Sequence, residues 1–179
     1  HFHLLRRHAL CEEHIPLIVF TPKSMLKRKE AASKPEDFTT GTFRRIIADD
    51  AADPSSVDTL LLCSGRITWD LMVERTRLQG DSPTTAITRI EQLYPRPEQM
   101  LIDEVRRYPN LKKIRLVQDE PLNMGPAPHF QLYLFPKLDL PVEVVSRAAS
   151  SSPSVGQMKR HVEEQQELIR AAFAPVSSE

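Results

Sequence analysis

Two places in the chain set reactive side-chain types where an α/β sheet opens a cleft. Cys63-Ser64-Gly65 ends one apolar run, and Gln118-Asp119-Glu120 ends another. A thiol, a hydroxyl and two adjacent carboxylates therefore stand at expected strand exits. Neighbouring acids divide acid and base roles only where burial separates their pKa values; otherwise they cap a helix or bind across an interface. The sequence leaves these options open. Ser24-Met25-Leu26-Lys27 has the SxxK spacing by which a helix sets a lysine amine beside a serine hydroxyl, but the companion S-D-N and K-T-G motifs are absent. Glycines at 41, 65, 80, 125 and 156 are too dispersed for a phosphate-cradling loop. His1, His3, His8 and His14 lie near the start, and His129 and His161 stand alone. With no HExxH or CxxC partner they read as exposed side chains, with weak chelation by His1 and His3 as the alternative. Arg6, Arg7, Lys23, Lys27, Arg28 and Lys29, then Lys112, Lys113 and Arg115, also admit two readings. They form either an anion site built on Arg contacts and a helix N-terminus, or a solvated face paired with Glu12, Glu13, Glu30 and Glu36.

The elements that position these groups follow from periodicity and punctuation. Residues 2–13 read as the end of a helix, with Phe2, Leu5, Ala9 and Leu10 on one face. Residues 16–20, Pro-Leu-Ile-Val-Phe, are apolar throughout and predict a central strand; Thr21-Pro22 then opens a short helix. Residues 43–47 predict an edge strand, and 49–56 an acidic surface loop. Further strands are expected at 57–63, 85–90, 111–118 and 142–146, and helices at 67–78, 97–108, 128–134 and 160–173. Strands alternating with helices make crossover units, so the expected fold is α/β: three layers, a mostly parallel sheet, helices on both faces. The expected division is the end of a linker helix at 1–14, one domain at 15–174 and a tail at 175–179.

Composition narrows the classes. The 179 residues carry 24 Lys+Arg against 24 Asp+Glu, a formal net charge of zero, without the basic excess of nucleic-acid-binding domains. No apolar run approaches the roughly 20 residues of a membrane helix. Two distant cysteines, Cys11 and Cys63, fit neither a disulfide framework nor a thiolate zinc site, and suit a reducing cytoplasm. His1 follows no initiator Met and no capping residue precedes the first helix, so a portion of a longer polypeptide is expected.

Several ordered runs then carry a resemblance: Phe2-His3-Leu4-Leu5-Arg6-Arg7, Pro16-Leu17-Ile18-Val19-Phe20-Thr21-Pro22-Lys23-Ser24-Met25-Leu26, Arg89-Ile90-Glu91-Gln92-Leu93-Tyr94-Pro95, Gln118-Asp119-Glu120-Pro121-Leu122-Asn123-Met124-Gly125 and Arg147-Ala148-Ala149-Ser150-Ser151-Ser152-Pro153-Ser154. In this order they resemble the C-terminal region of thiamine-dependent 2-oxoglutarate dehydrogenase, nearest to the multifunctional 2-oxoglutarate enzymes of actinobacteria. The family commonly continues with Ala-Trp after the glycine; here Pro126-Ala127 follow Gly125.

The resemblance implies a transketolase-like C-terminal domain of a homodimeric enzyme. That enzyme decarboxylates 2-oxoglutarate on thiamine diphosphate and passes succinyl to the lipoyl arm of a dihydrolipoyl succinyltransferase. Thiamine diphosphate and magnesium are then bound outside this chain, and no catalytic residue carries over. The resemblance further implies an acetyl-CoA effector site, with Arg7 and Lys23 as the matched basic positions. Two rivals remain at this point: the equivalent domain of another 2-oxoacid dehydrogenase, and a stand-alone module binding CoA or a nucleotide.

Overall fold

The computed structural model describes residues 1–175. The chain divides into two compact units, His1–Arg45 and the remainder from Ile46 onward, whereas the sequence reading placed a boundary after residue 14. The end of the expected tail, 176–179, lies outside the described residues.

The first unit holds helix α1 (Phe2–Ala9), two 3-10 turns (Lys23–Lys27 and Lys29–Ala31) and the single turn α2 (Glu36–Thr39), and none of these buries a residue. Phe2 meets Phe38 edge-on at 5.3 Å, and His3 Nε2 donates to the Asp37 carbonyl at 2.5 Å. The expected strand at 16–20 does not form: these residues are irregular, in no ladder and exposed. An apolar run specifies a strand only where a sheet edge is there to receive it, and the sequence carries no information on where that edge lies.

The second unit is built on a five-stranded sheet of β1 (Ile46–Ile47), β2 (Thr59–Cys63), β3 (Thr85–Ile90), β4 (Lys113–Pro121) and β5 (Val142–Arg147), in the order β1-β3-β2-β4-β5. The pairs β2–β3, β2–β4 and β4–β5 are parallel, and the two-residue β1 is antiparallel to β3. Central β2 is apolar on both faces because both are covered. Leu60 and Leu62 join the cluster beneath α4 (Glu98–Arg106) and α5 (Ala127–Tyr133). Leu61 and Cys63 join the opposite cluster, packed under α3 (Ile67–Gln79) and α6 (Met158–Ala172). The expected three-layer α/β fold is the observed one.

Buried polar groups hold the sheet edge and one helix. The expected edge strand at 43–47 shrinks to Ile46–Ile47, and Asp49 follows it. Its carboxylate is not in a surface loop but buried, accepting the Ile87 N–H at 2.8 Å and the Arg75 guanidinium. On the other face, buried Glu104 of α4 accepts the hydroxyls of Thr88 on β3 at 2.7 Å and Tyr108 at 2.8 Å, clamping helix to sheet.

Burial and the Glu104 carboxylate both push the Tyr108 phenol above its ordinary 10.0. A raised folded-state pKa means the unfolded chain releases this proton first, so the Tyr108 contribution is complete below about pH 10 and falls as pH rises beyond it. Urea unfolding measured between pH 8 and 11.5 is expected to lose stability more steeply for the parent than for Tyr108→Phe. Parallel curves would contradict the assignment.

Candidate functional site

A parallel sheet opens a crevice where successive connections leave toward opposite faces. Here β2 sits at that switch point. Its connection through α3 runs to β3 over one face, while β4 leads through α5 to β5 over the other. The two strand exits singled out from sequence, Cys63-Ser64-Gly65 and Asp119-Glu120, are thus side by side at the carboxyl edge of adjacent strands. The structure fills the crevice between them. Arg66 donates through Nη2 to Asp119 Oδ1 at 3.2 Å and through Nη1 to Asp70 Oδ2 at 3.0 Å. Gln165 of α6 donates to the same carboxylates, at 2.8 Å to Asp119 and 3.3 Å to Asp70, and its Oε1 accepts from Arg147 at 3.0 Å. Arg147, at the end of β5, also donates to His161 Nδ1 at 3.2 Å, which makes Nδ1 the unprotonated ring nitrogen. Arg66 thus pairs with both carboxylates across the mouth of the sheet, and the Gln165 amide links them to Arg147, which itself pairs with Glu164 at 3.8 Å. Asp119 is an ion-pair partner, not half of an acid–base couple, and Glu120 is exposed beside it.

The run after β4 is shaped by one buried side chain. Gln118 Nε2 donates to the carbonyls of Met124 at 2.8 Å and Pro121 at 3.0 Å, and its Oε1 accepts the Ala127 N–H at 2.9 Å. The turn closes at Gly125, whose φ of +65° and whose missing Cβ are both required: a Cβ there would lie 3.2 Å from Gln118 Oε1 and from Glu120. Pro126 sits directly before α5, where a missing donor costs nothing. Asn123 then clasps Ser150, donating to its carbonyl and accepting its N–H, both at 3.0 Å. The motif ending in Gly125 and the serine run after Arg147 thus form one surface.

The basic groups divide. Arg115 is buried and closes the C-terminus of α6 by donating to the Ala172 and Ala174 carbonyls at 2.9 and 2.8 Å, and Lys113 joins it on Ala174 at 3.1 Å. Cations at a helix C-terminus meet its partial negative charge, so this cluster is an internal cap, neither an anion site nor a solvated face. Burial, with Arg115 alongside, lowers the Lys113 pKa. Arg7 lies exposed on α1 with its guanidinium 3.9 Å above the Phe43 ring, and Lys23 lies exposed at the first residue of a 3-10 turn. Both belong to the first unit. Among the described residues, no three His, Cys, Asp or Glu groups converge as metal ligands, and no helix is long and apolar enough to cross a membrane.

The sequence reading names Gln118 at the strand exit without a role and passes over Asp70 and Gln165. A signal existed for the first and last: each is an amide within an otherwise apolar buried face, and buried amides need partners.

Residues 32–173 match the family described as 2-oxoglutarate dehydrogenase C-terminal. The chain is 44% identical over 178 residues to the 2-oxoglutarate dehydrogenase E1/E2 component of Corynebacterium glutamicum, covering 97% of this chain. It is 43% identical over 183 residues to a multifunctional 2-oxoglutarate metabolism enzyme of Mycobacterium sp. (strain KMS), covering 98%. In each case the chain spans about 14% of the relative's length. Among solved structures, a split-gene transketolase described as an inactive β4 tetramer aligns over 73% of this chain and 42% of that one, with a TM-score of 0.55 at 12% identity. That likeness concerns the fold.

The thiol at the first strand exit is closed to solvent. Burial pushes Cys63 up to about 12, against a weaker opposing hydrogen bond with Thr68 at 3.3 Å. Thiol chemistry runs through the thiolate, so Cys63 is inert in the folded chain while Cys11 is exposed. A disulfide-exchange reagent at pH 8 is expected to modify one thiol per native chain and two after denaturation. Two fast thiols in the native protein would contradict this site description.

Proposed function

Because the chain belongs to the 2-oxoglutarate dehydrogenase C-terminal family, we propose that it is the non-catalytic closing domain of a 2-oxoglutarate dehydrogenase. In this reading the enzyme decarboxylates 2-oxoglutarate on thiamine diphosphate with magnesium, held by other parts of the polypeptide, and passes succinyl to a lipoyl group. The observation that carries the reading is the filled crevice: the place where an open α/β sheet receives a ligand is occupied by Arg66, Asp119 and Gln165. Magnesium on a diphosphate calls for carboxylate or carbonyl oxygens free to face it. The carboxylates Asp70 and Asp119 are engaged by Arg66, so the donor set at this mouth does not fit that group. The domain's work is then to support the dimer and the walls of an active site assembled elsewhere. A relative named as an E1/E2 component favours a succinyl acceptor carried on the same polypeptide.

The same reading gives the domain an anionic effector, acetyl-CoA, received through Arg7 and Lys23. What supports it is chemical. Both are exposed cations of the first unit, and stacking on Phe43 fixes the plane of the Arg7 guanidinium, which suits bidentate capture of phosphate. Calorimetric titration of the full-length protein with acetyl-CoA is expected to give binding that Arg7→Ala and Lys23→Ala each weaken by about 10-fold, the loss of one charge-assisted contact. Unchanged affinity in both variants would remove these residues from the site.

A further inference from the structure

Helix α6 begins with side chains of the wrong sign. A helix N-terminus carries partial positive charge and favours acids in its first turn. Here the first four residues include Lys159, Arg160 and His161, no acid is among them, and Gln157 before them makes no side-chain capping bond. The turn is fastened to the sheet by the half-buried ring of His161, whose Nδ1 accepts from Arg147 Nη2 at 3.2 Å. Arg147 sits at the end of β5 with its side chain only 8% exposed, and among the described residues its Nε meets no acceptor.

This contact has a polarity that cannot be reversed. A guanidinium offers donors only, so the bond exists only while Nδ1 keeps its lone pair. A protonated ring would set N–H against N–H and a second cation against Arg147, at the positive end of a helix. The acids on the elements packed around it are already engaged. On α6 itself Glu163 pairs with Lys159 at 4.0 Å, and Glu164 is shared between Arg160 at 2.9 Å and Arg147 at 3.8 Å. Asp70 of α3 and Asp119 of β4 are held by Arg66 and Gln165.

We infer that His161 is an acid-sensitive latch: neutral, it fastens the first turn of α6 to β5; protonated, it gives up Arg147 and frees that turn. The contact is complete above the ordinary imidazole range, centred near pH 6.5, and is lost as pH falls below it. Gln157 and Arg160 of this turn wall a cavity of about 380 Å³ together with Ser150, Ser152 and Ser154, so release reshapes the serine surface described above. Gln165, one turn further on, keeps its own hold on Arg147 and Asp119, which confines the opening to the start of the helix. The latch depends on neither the closing-domain reading nor the acetyl-CoA reading.

Hydrogen exchange on the full-length protein at pH 7.5 and 5.5, corrected for the intrinsic rates, tests it. Amides of 159–164 are expected to lose on the order of 10-fold in protection at the lower pH, while those of β2 and β4 keep theirs. His161→Gln, whose amide oxygen can accept from Arg147 but does not titrate, is expected to stay protected at both pH values. His161→Phe, which cannot accept, should be loose at both. Acid loosening of 159–164 that persists in either variant would overturn the inference, because another group would then be the sensor. So would a parent protein whose α6 start is equally protected at both pH values.

Discussion

The pair formed by Arg66 and Asp119 holds together what the strand order pulls apart. Placing β2 at the centre sends one connection to each face and leaves a crevice at the strand ends, which must hold either a ligand or protein side chains. This chain puts its own side chains there. Arg66 comes from the loop after β2, Asp119 from the exit of β4, Asp70 from α3 and Gln165 from α6, so one network ties two strands to the two helices of one face. Arg147 extends it to β5. Its members share partners, so removing one disturbs the rest as a unit.

The division of labour follows. The second unit pairs most of its buried polar groups: its buried acids meet Arg75, Thr88 and Tyr108, buried Arg115 caps α6, and Gln118 closes the turn before α5. Little reactive chemistry is left over. The first unit carries exposed cations at Arg7 and Lys23 and an exposed apolar run at 16–20.

Much of the fold was legible in the sequence because its strands are nearly continuous apolar runs and its helices begin and end on recognisable residues. Thr59–Cys63 is an example of the first, and Ile67–Gln79, closed by Gly80 at a φ of +60°, of the second. The errors have physical causes. Residues 16–20 have the composition of a strand but not the sheet, and composition does not reveal where the sheet is. Asp49 read as part of an acidic loop, since nothing local announces that Arg75, 26 positions on, will meet it. Lys113 and Arg115 read as a basic patch because strand alternation shows which face a side chain takes, not that a helix C-terminus lies beneath it. The strand-exit acids were found, but their role depended on Arg66 and Gln165, far away in sequence.

The central claim is that the mouth of the sheet is closed for structural reasons. Arg66→Ala in the full-length protein tests it most directly, with stability and 2-oxoglutarate turnover measured on the same preparation. The expected result is a loss of about 1 kcal/mol in unfolding of this domain, the cost of removing a half-buried cation from two carboxylates, with faster exchange in α6 and turnover per folded molecule retained. Unchanged stability with turnover lost would contradict the account, for Arg66 would then belong to a working site.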